Sequence, residues 1–252
     1  MEDVRPFDDK FPYGLSGTPS GSTEALSDGV VKQLEFALTV GLLNDGDKLP
    51  SEPRLAEQLG VSTVTLRQGL AKLRTRGVLV TQRGRGGGSY LRDSQKINTE
   101  RAEELLRSTS SGDLRDLGDL FAGNVARSAQ LAAMRSLPDE VVRLEQLVAA
   151  LTSASTPNSR RRAYCRLHIE LAVAAQSSRL MLASVQLLGE VAPLLWNSDI
   201  AADTDFRAGY AAVVDAVRSR DADGAQNLAR SQIEREARLL IEHHLRIAAR
   251  RP

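Results

Sequence analysis

The fold of this chain is decided by residues 49–79, which run LPSEPRLAEQLGVSTVTLRQGLAKLRTRGVL. Ser51 precedes a helical run in which Pro53 falls in the first turn, where no amide hydrogen is needed. Gly60 supplies the left-handed residue that ends this helix, and Ser62 is placed to cap the next one. Two helices joined by a short turn that contains glycine form a helix-turn-helix, so the sequence predicts that motif here.

A helix is predicted before the motif and a hairpin after it. Apolar residues recur at helical spacing ahead of residue 41, whereas the residues after Gly77 alternate as strands around a glycine-rich turn. The predicted elements are helices at about 27–40, 51–59 and 62–76, strands at 78–81 and 89–91, and a turn at 83–88. Together they make a winged helix-turn-helix over residues 27–92, with arginines at the tip of the wing.

Charge indicates a nucleic-acid partner for this region. Between Val61 and Arg92 there are seven basic residues and no acidic one, although the whole chain carries a net charge of only +1. Concentrated Lys and Arg favour a polyanion, because binding releases the counterions condensed on its phosphates. One alternative is a solvated helix face. Another is a dinucleotide phosphate loop at the glycines, but that loop needs a helix directly after it, and residues 89–91 are predicted to be extended.

Residues 27–92 resemble the DNA-binding domain of GntR-family transcriptional regulators. The motifs that carry the resemblance are Asp47–Glu52, Leu59–Ser62, Gly77–Leu79 and Arg83–Gly87. In that family DNA is contacted largely by the recognition helix and the wing glycine. The resemblance therefore implies DNA contacts by Ser62, Thr63, Thr65, Arg67, Arg83 and Gly84, and the predicted contact set is completed by Ser51, Arg54, Lys72 and Arg85. Arg67 is the leading candidate, because a guanidinium can bind guanine or phosphate with two parallel hydrogen bonds.

Two positions depart from the family pattern. Pro53 followed by Arg54 stands where relatives usually place Arg directly after Ser-Glu, and Thr63 stands where they usually have Arg. Thr63 can contact a thymine methyl group or a phosphate, but it cannot bind guanine with two hydrogen bonds. We therefore predict DNA binding with an altered sequence preference.

Residues 99–252 are predicted to form an all-α domain, so that the chain as a whole is mostly α. Ala, Leu and Val recur at helical spacing over this segment, which is long enough to bury its own core. The predicted helices are 99–108, 114–135, 138–152, 159–176, 178–188, 189–197, 206–220 and 222–249. Residues 1–26, rich in Gly, Pro, Ser and Asp, are expected to be a flexible arm, and residues 93–98 a linker.

The helical domain is similar to the FCD ligand domain of the FadR-like subfamily of GntR regulators. The resemblance is carried by Leu117–Arg135, Leu167–Ala172 and Ala216–Ala222. Many members of that family hold a divalent metal with one Asp and three His. The resemblance therefore implies four candidate ligand positions in this chain.

Most of that metal site is missing. His168 matches the first His, but the Asp position is Tyr164, and the other two His positions are Tyr210 and Gln232. One imidazole, two phenols and an amide are a poor ligand set, so we expect no metal and no cofactor. The four residues can instead line an effector cavity, with organic acids and fatty acyl compounds as the expected effectors. The alternative is a set of hydrogen-bonded core residues without a ligand.

Other functions find little support in the sequence. Cys165 is the single cysteine, which excludes an internal disulfide and agrees with a reducing cytoplasm. No hydrolase or metalloprotease motif occurs, and we expect no signal peptide and no apolar run long enough to span a membrane. The hypothesis is a cytoplasmic, non-enzymatic repressor that binds a palindromic operator as a homodimer and responds to a small metabolite. The alternative is a ligand-insensitive DNA-binding protein whose helical domain only dimerises.

Overall fold

A computed structural model describes residues 23–84, 87–92, 104–196 and 204–249 of the chain. The chain divides into two compact units, Met1–Ser94 and Gln95–Pro252. The described residues are mostly helical and include a small two-stranded antiparallel sheet, so the predicted fold class is confirmed. The predicted linker at 93–98 and most of the predicted arm lie outside the described residues.

The first unit is a winged helix-turn-helix. Its elements are α1 (Thr23–Thr39), α2 (Glu52–Leu59), α3 (Thr63–Thr75), β1 (Leu79–Gln82) and β2 (Gly88–Leu91). The strands pair with Leu79 opposite Leu91 and Gln82 opposite Gly88. Both strands differ by one residue from the predicted ones. Residues 23–26, assigned to the flexible arm, instead form the first turn of α1.

The turn between α2 and α3 has the predicted chemistry. Gly60 adopts a φ of +67°, and the backbone N–H of Val61 donates to the carbonyl of Ala56 at 3.0 Å. Ser62 then caps α3, because its Oγ accepts a hydrogen bond from the backbone N–H of Thr65 at 3.1 Å. The prediction for the preceding helix is only half right: Ser51 occupies the N-cap position of α2 but makes no side-chain capping bond.

Helices α1 and α3 pack closely through a glycine. A Cβ atom placed on Gly69 would lie 2.8 Å from Cγ1 of Val30 and 3.0 Å from the carbonyl oxygen of Ser27. Leu66 and Leu70 on the same side of α3 are buried. This packing orients the opposite side of α3 toward solvent.

The second unit is an all-α bundle, as predicted. Its helices are α4 (Ser111–Arg135), α5 (Pro138–Ser153), α6 (Pro157–Ala174), α7 (Ser178–Trp196), α8 (Thr204–Arg218) and α9 (Ala222–Ala249), and residues 104–108 are also helical. Helix α4 packs along α9 and also contacts α6, α7 and α8. The core of the unit therefore surrounds α4.

Polar caps fix where these helices begin. The backbone N–H of Asp113 donates to Ser110 Oγ at 3.1 Å, and Asp113 Oδ2 accepts from the backbone N–H of Ser110 at 3.2 Å. This reciprocal cap starts α4 before Leu114, where it was predicted to start. The predicted capped turn before α9 is confirmed, because the backbone N–H of Gly224 donates to Asp221 Oδ1 at 2.9 Å.

Helix α7 corrects two predictions. The sequence predicted separate helices at 178–188 and 189–197, but Ser178–Trp196 is one continuous helix that includes Pro193. By length and composition alone this helix is apolar enough to cross a membrane, contrary to the expectation of no such run. Many of its residues, including Leu188, Leu195 and Trp196, are buried in the bundle. Burial against α4 and α6 explains why so apolar a helix persists through Gly189 and Pro193.

Candidate functional site

One candidate site is the solvent-facing side of α3. Ser62, Thr63, Val64 and Arg67 are exposed there, whereas the leucines on the other side are buried. Residues at positions i and i+4 of a helix lie one above the other, so Thr63 and Arg67 share this face. The prediction that one side of α3 packs and the other is free is confirmed.

Arg67 forms an exposed ion pair on this face. Its Nε lies 2.6 Å from Oε2 of Glu52 at the start of α2, and the two side chains are 68% and 34% exposed. Exposed ion pairs contribute about 1 kcal/mol or less. A phosphate or a guanine base can therefore replace Glu52 as the partner of Arg67. Ser51 and Arg54, also at the start of α2, are exposed as well.

Two predicted DNA-contacting residues face elsewhere. Lys72 Nζ binds Asp28 Oδ1 at 2.6 Å and Ser27 Oγ at 2.8 Å, so it ties α3 to α1. Lys72 lies nine positions after Thr63 on α3, which places it about half a turn from the exposed face. Thr65 is only 3% exposed, and its Oγ1 lies 2.8 Å from Ser62 Oγ. The structure therefore assigns Lys72 to helix packing and Thr65 to the cap of α3.

Two other basic residues, one in α3 and one directly after it, also contact neighbouring elements of this unit. Arg74 donates from Nε to Thr81 Oγ1 at 3.0 Å and from Nη2 to Ser89 Oγ at 3.3 Å, which joins the helix to the wing. Arg76 pairs with Glu35 of α1 at 2.9 Å. Only part of the positive charge between Val61 and Arg92 is therefore free to bind a polyanion.

The wing presents a second basic element. Arg83 and Gly84 are exposed at its tip, where Gly84 adopts a φ of +104°. The backbone N–H of Gly87 donates to the carbonyl of Gly84 at 2.8 Å and closes the turn. That positive φ requires glycine, because a side chain would strain the backbone there. Arg85 lies outside the described residues.

A second candidate site is a buried polar cluster in the helical unit. Tyr164 and His168 project from α6, Tyr210 from α8 and Gln232 from α9, and all four side chains are buried. They meet around Glu236, which lies one turn beyond Gln232 on α9 and is only 3% exposed. The four outer residues were predicted from the sequence, whereas the carboxylate at their centre was not.

The hydrogens in this cluster can be assigned from its geometry. Tyr164 donates to Glu236 Oε2 at 2.7 Å, Gln232 Nε2 donates to Oε1 at 2.8 Å, and Tyr210 donates to Oε1 through a short hydrogen bond. Because the Tyr210 hydrogen is directed to Glu236, the phenol oxygen accepts from His168 Nε2, which lies 3.0 Å away. His168 Nδ1 is then an unprotonated acceptor, and within the described part of the chain no group bonds to it.

Burial dominates the electrostatics of the cluster. Desolvation raises the pKa of Glu236 to about 7, even though its hydrogen bonds act in the opposite direction. Desolvation lowers the pKa of His168 to about 3, so the imidazole is neutral. Burial, reinforced by Glu236, raises the pKa of Tyr164 and of Tyr210, which therefore stay protonated. The cluster consists of neutral donors around a single carboxyl group.

Glu236 also reaches an apolar cavity between α4, α7 and α9. The volume of this cavity is about 20 Å³, enough for about one water molecule. Leu114 and Phe121 of α4, Val191 and Leu195 of α7, and Leu240 of α9 contribute to its walls. Phe121 also contacts the His168 ring, with centroids 5.1 Å apart. The polar cluster and the cavity are thus contiguous.

Comparisons with known proteins agree with both units. The gntR family of bacterial regulatory proteins matches residues 26–87, and the FCD domain matches residues 126–235. The chain is 37% identical over 218 residues to RmpR of Mycobacterium gastri, described as an HTH-type transcriptional regulator, covering 86% of this chain and 77% of that protein. It is 30% identical over 219 residues to the L-lactate dehydrogenase operon regulatory protein of Escherichia coli (strain K12), covering 80% and 81%.

The chain belongs to the GntR family. As a GntR regulator with an FCD domain, it is a DNA-binding transcriptional regulator whose helical domain is of a class that binds small-molecule effectors. The relatives are transcriptional regulators and not enzymes. The solved structure of E. coli McbR/YncC, 17% identical, aligns with a TM-score of 0.53 over 86% of this chain and 97% of that one, which supports the fold.

The divalent metal held by many FCD domains does not fit the residues found here. Tyr164 and Tyr210 keep their hydrogens, His168 Nε2 donates to Tyr210, and the Gln232 amide donates to Glu236. Among the described residues no group of three or more His, Cys, Asp or Glu side chains is arranged to hold a metal ion. Phenols and amides with their donors directed inward are poor ligands for a divalent cation.

Proposed function

We propose that this GntR regulator is a cytoplasmic repressor, which binds a palindromic operator as a homodimer and changes its DNA affinity when a small metabolite binds the FCD domain. The observation that carries the DNA-binding part is the exposed face of α3, where Thr63 and Arg67 lie free of the packing that engages Lys72 and Arg76. A dimer seated on a promoter represses by excluding polymerase.

Each exposed residue has a role that suits its chemistry. Thr63 and Arg67 enter the major groove, where Thr contacts a thymine methyl group or a phosphate and Arg binds guanine or phosphate. Arg83 and Gly84 bring the wing close to the sugar-phosphate backbone and the minor groove, which attracts cations. The contact set is completed by Ser51, Arg54, Ser62 and Arg85.

The dimer is proposed to form through α4. Leu120 and Met134 are 62% and 63% exposed, two heptads apart on this helix, and Gly123 between them has open space around it. Residues separated by whole heptads lie on the same side of a helix, as the contact residues of a helix pair do. Two copies related by a twofold axis present two DNA-binding units to the two halves of a palindromic site. Leu120→Asp is expected to shift the protein toward monomer in analytical ultracentrifugation, whereas a dimer unchanged in mass would rule out this surface.

The test of DNA binding is selection of duplexes from a random library by the full-length protein. We expect enrichment of an inverted repeat, followed by loss of at least tenfold in affinity for the selected duplex on Arg67→Ala. Arg246→Ala, which removes an exposed arginine from α9, is the matched control and should bind as the wild type does. A library that shows no enriched sequence would refute the proposal.

A second candidate is a ligand-insensitive regulator whose helical domain only dimerises. It is favoured by two observations: Glu236 already has three internal donors, and the adjoining cavity has room for about one water molecule. The two candidates differ in thermal-shift experiments, because a ligand that binds only the folded state raises Tm. A DNA-binding protein whose Tm and DNA affinity no small molecule alters would be the second candidate.

A further inference from the structure

Glu236 is a buried acid whose ionised form has no ion-paired cation among the described residues. Within the described part of the chain it forms no ion pair, and its three partners, Tyr164, Tyr210 and Gln232, are neutral donors. The charged residue whose field favours the ionised form is Arg235, the preceding residue of α9, and its effect is the smallest of the causes acting on Glu236. Burying a carboxylate without a cation is unfavourable, because the lost hydration is not replaced.

The carboxylate also has acceptor capacity to spare. An ionised carboxylate offers about four lone-pair sites. Among the described residues, Oε1 accepts from Tyr210 and Gln232, whereas Oε2 accepts from Tyr164 alone. One site on Oε2 is therefore open to a donor from outside the cluster.

The surroundings of Glu236 limit what can bring that donor. On one side is the apolar cavity walled by Phe121, Leu195 and Leu240. Its present size accommodates about one water, so a ligand must be narrow and must move the walls apart. Helices α4 and α9 are closely packed there, since a Cβ atom on Gly118 would lie 2.7 Å from the Cβ of Ala237. A ligand in this place would therefore act directly on the contact between two long helices.

We infer that the effector of this FCD domain is an organic cation, an amine with a narrow apolar body, whose ammonium group binds the Glu236 carboxylate. This inference rests on the proposed function, in which an effector binds the helical unit, and it names the chemical class of that effector. The ammonium group supplies both the missing positive charge and the missing donor, while the apolar body fills the cavity.

The same geometry disfavours carboxylate effectors. A second carboxylate would lie beside Glu236 and would repel its ionised form, because like charges in a buried site repel. The hydroxyl hydrogens of Tyr164 and Tyr210 and one amide hydrogen of Gln232 are already directed to Glu236, and the described residues of the cluster include no cation. This conclusion departs from the organic acids and fatty acyl compounds that the sequence led us to expect.

The inference is tested with three probes of equal length and different charge: hexylamine, hexan-1-ol and hexanoate. Binding to the full-length protein is followed by calorimetry and by the Tm of the helical unit, which the single tryptophan, buried Trp196, reports. Each probe is titrated into the wild type, Glu236→Gln and Glu234→Gln. Glu234 is exposed on the same helix, so its variant matches the change in net charge.

Hexylamine is expected to bind the wild type and Glu234→Gln and to raise Tm, with at least tenfold weaker binding to Glu236→Gln. Hexan-1-ol should bind at least tenfold more weakly than hexylamine, and hexanoate should not bind. The inference is overturned if hexanoate binds as well as hexylamine, if hexylamine binds Glu236→Gln as it binds the wild type, or if none of the probes binds. If Glu236→Gln fails to fold, the inference is judged by the relative affinities of the three probes for the wild-type protein.

Affinity for the selected duplex, measured alongside, separates this inference from the proposed function. If hexanoate and not hexylamine changes DNA affinity, the inference fails and effector-regulated DNA binding stands. If the wild type binds no duplex specifically, the proposed function fails, whatever the probes do.

Discussion

Replacement of Glu236 by Gln should make the stability of the helical unit less sensitive to pH. The amide has the size of the carboxyl group and can still accept hydrogen bonds from Tyr210 and Gln232, but it does not ionise. Among the described residues, the titratable groups that act on Glu236 are Tyr164 from α6, Tyr210 from α8 and Arg235 from α9, and His168 from α6 joins them through Tyr210. All four remain in the variant, so the difference between the two proteins isolates the carboxyl group.

The sign and size of this pH-dependent difference in the free energy of unfolding follow from the pKa of Glu236. Burial raises the pKa of Glu236 from 4.5 to about 7, so the folded state holds the proton more tightly than the unfolded state. The favourable contribution is complete below pH 4.5 and is lost as pH rises through about 7; the full rise corresponds to about 3 kcal/mol. Between pH 5 and pH 8 we expect the free energy of unfolding of Glu236→Gln to increase relative to the wild type by about 2.5 kcal/mol. His168 acts in the opposite direction, because its lowered pKa favours folding above pH 6.5, but its contribution is common to both proteins.

Urea unfolding followed by the fluorescence of Trp196 measures this difference. The indole is buried, and its ring centroid lies 5.2 Å from that of Tyr164, so it reports on the unit that contains the cluster. Glu234→Gln is the control and should follow the wild type at every pH. If the free energies of unfolding of Glu236→Gln and the wild type differ by the same amount from pH 5 to pH 8, the assignment of a raised pKa to Glu236 is refuted.

Three further predictions concern the DNA-binding unit. Gly69→Ala should destabilise it by about 1–3 kcal/mol in urea unfolding, because the new methyl group meets α1, whereas Gly112→Ala at the exposed start of α4 should cost no stability. Glu52→Gln should strengthen DNA binding by about 0.5 kcal/mol, measured by fluorescence anisotropy at low salt, because it frees Arg67 and removes an acid from the surface that meets phosphates. Thr63→Arg should change the sequence that is enriched from a random library; an unchanged sequence would show that residue 63 does not reach the base edges.

The winged helix-turn-helix could be predicted because its signals are local. Gly60 and Ser62 each determine the backbone conformation at their own position, and the structure has both where the sequence placed them. The division of α7 was wrong for the opposite reason. Gly189 weakens a helix by about 1 kcal/mol, but the burial of the residues around it, which depends on α4 and α6, outweighs that local preference.

The sites were predicted less completely, because they depend on partners distant in sequence. Lys72 was predicted as a DNA contact; the structure places it about half a turn from Thr63 and pairs it with Asp28, which comes from another helix. Glu236 was missed, yet two signals pointed to it. It lies four residues after Gln232 on the same face, and the four predicted cluster residues can all donate hydrogen bonds, so their burial required an acceptor.

The central claim is that the exposed face of α3, and not its total charge, binds the operator. The most direct test is the equilibrium affinity of Arg67→Ala and Lys72→Ala for the selected duplex, at a temperature where both variants are folded. The structure predicts at least a tenfold loss for Arg67→Ala and near wild-type affinity for Lys72→Ala, since Lys72 lies on the side of α3 that faces α1, about half a turn from Thr63. Equal losses in the two variants would mean that the positive charge of α3 binds DNA without regard to which face carries it, and would contradict the account.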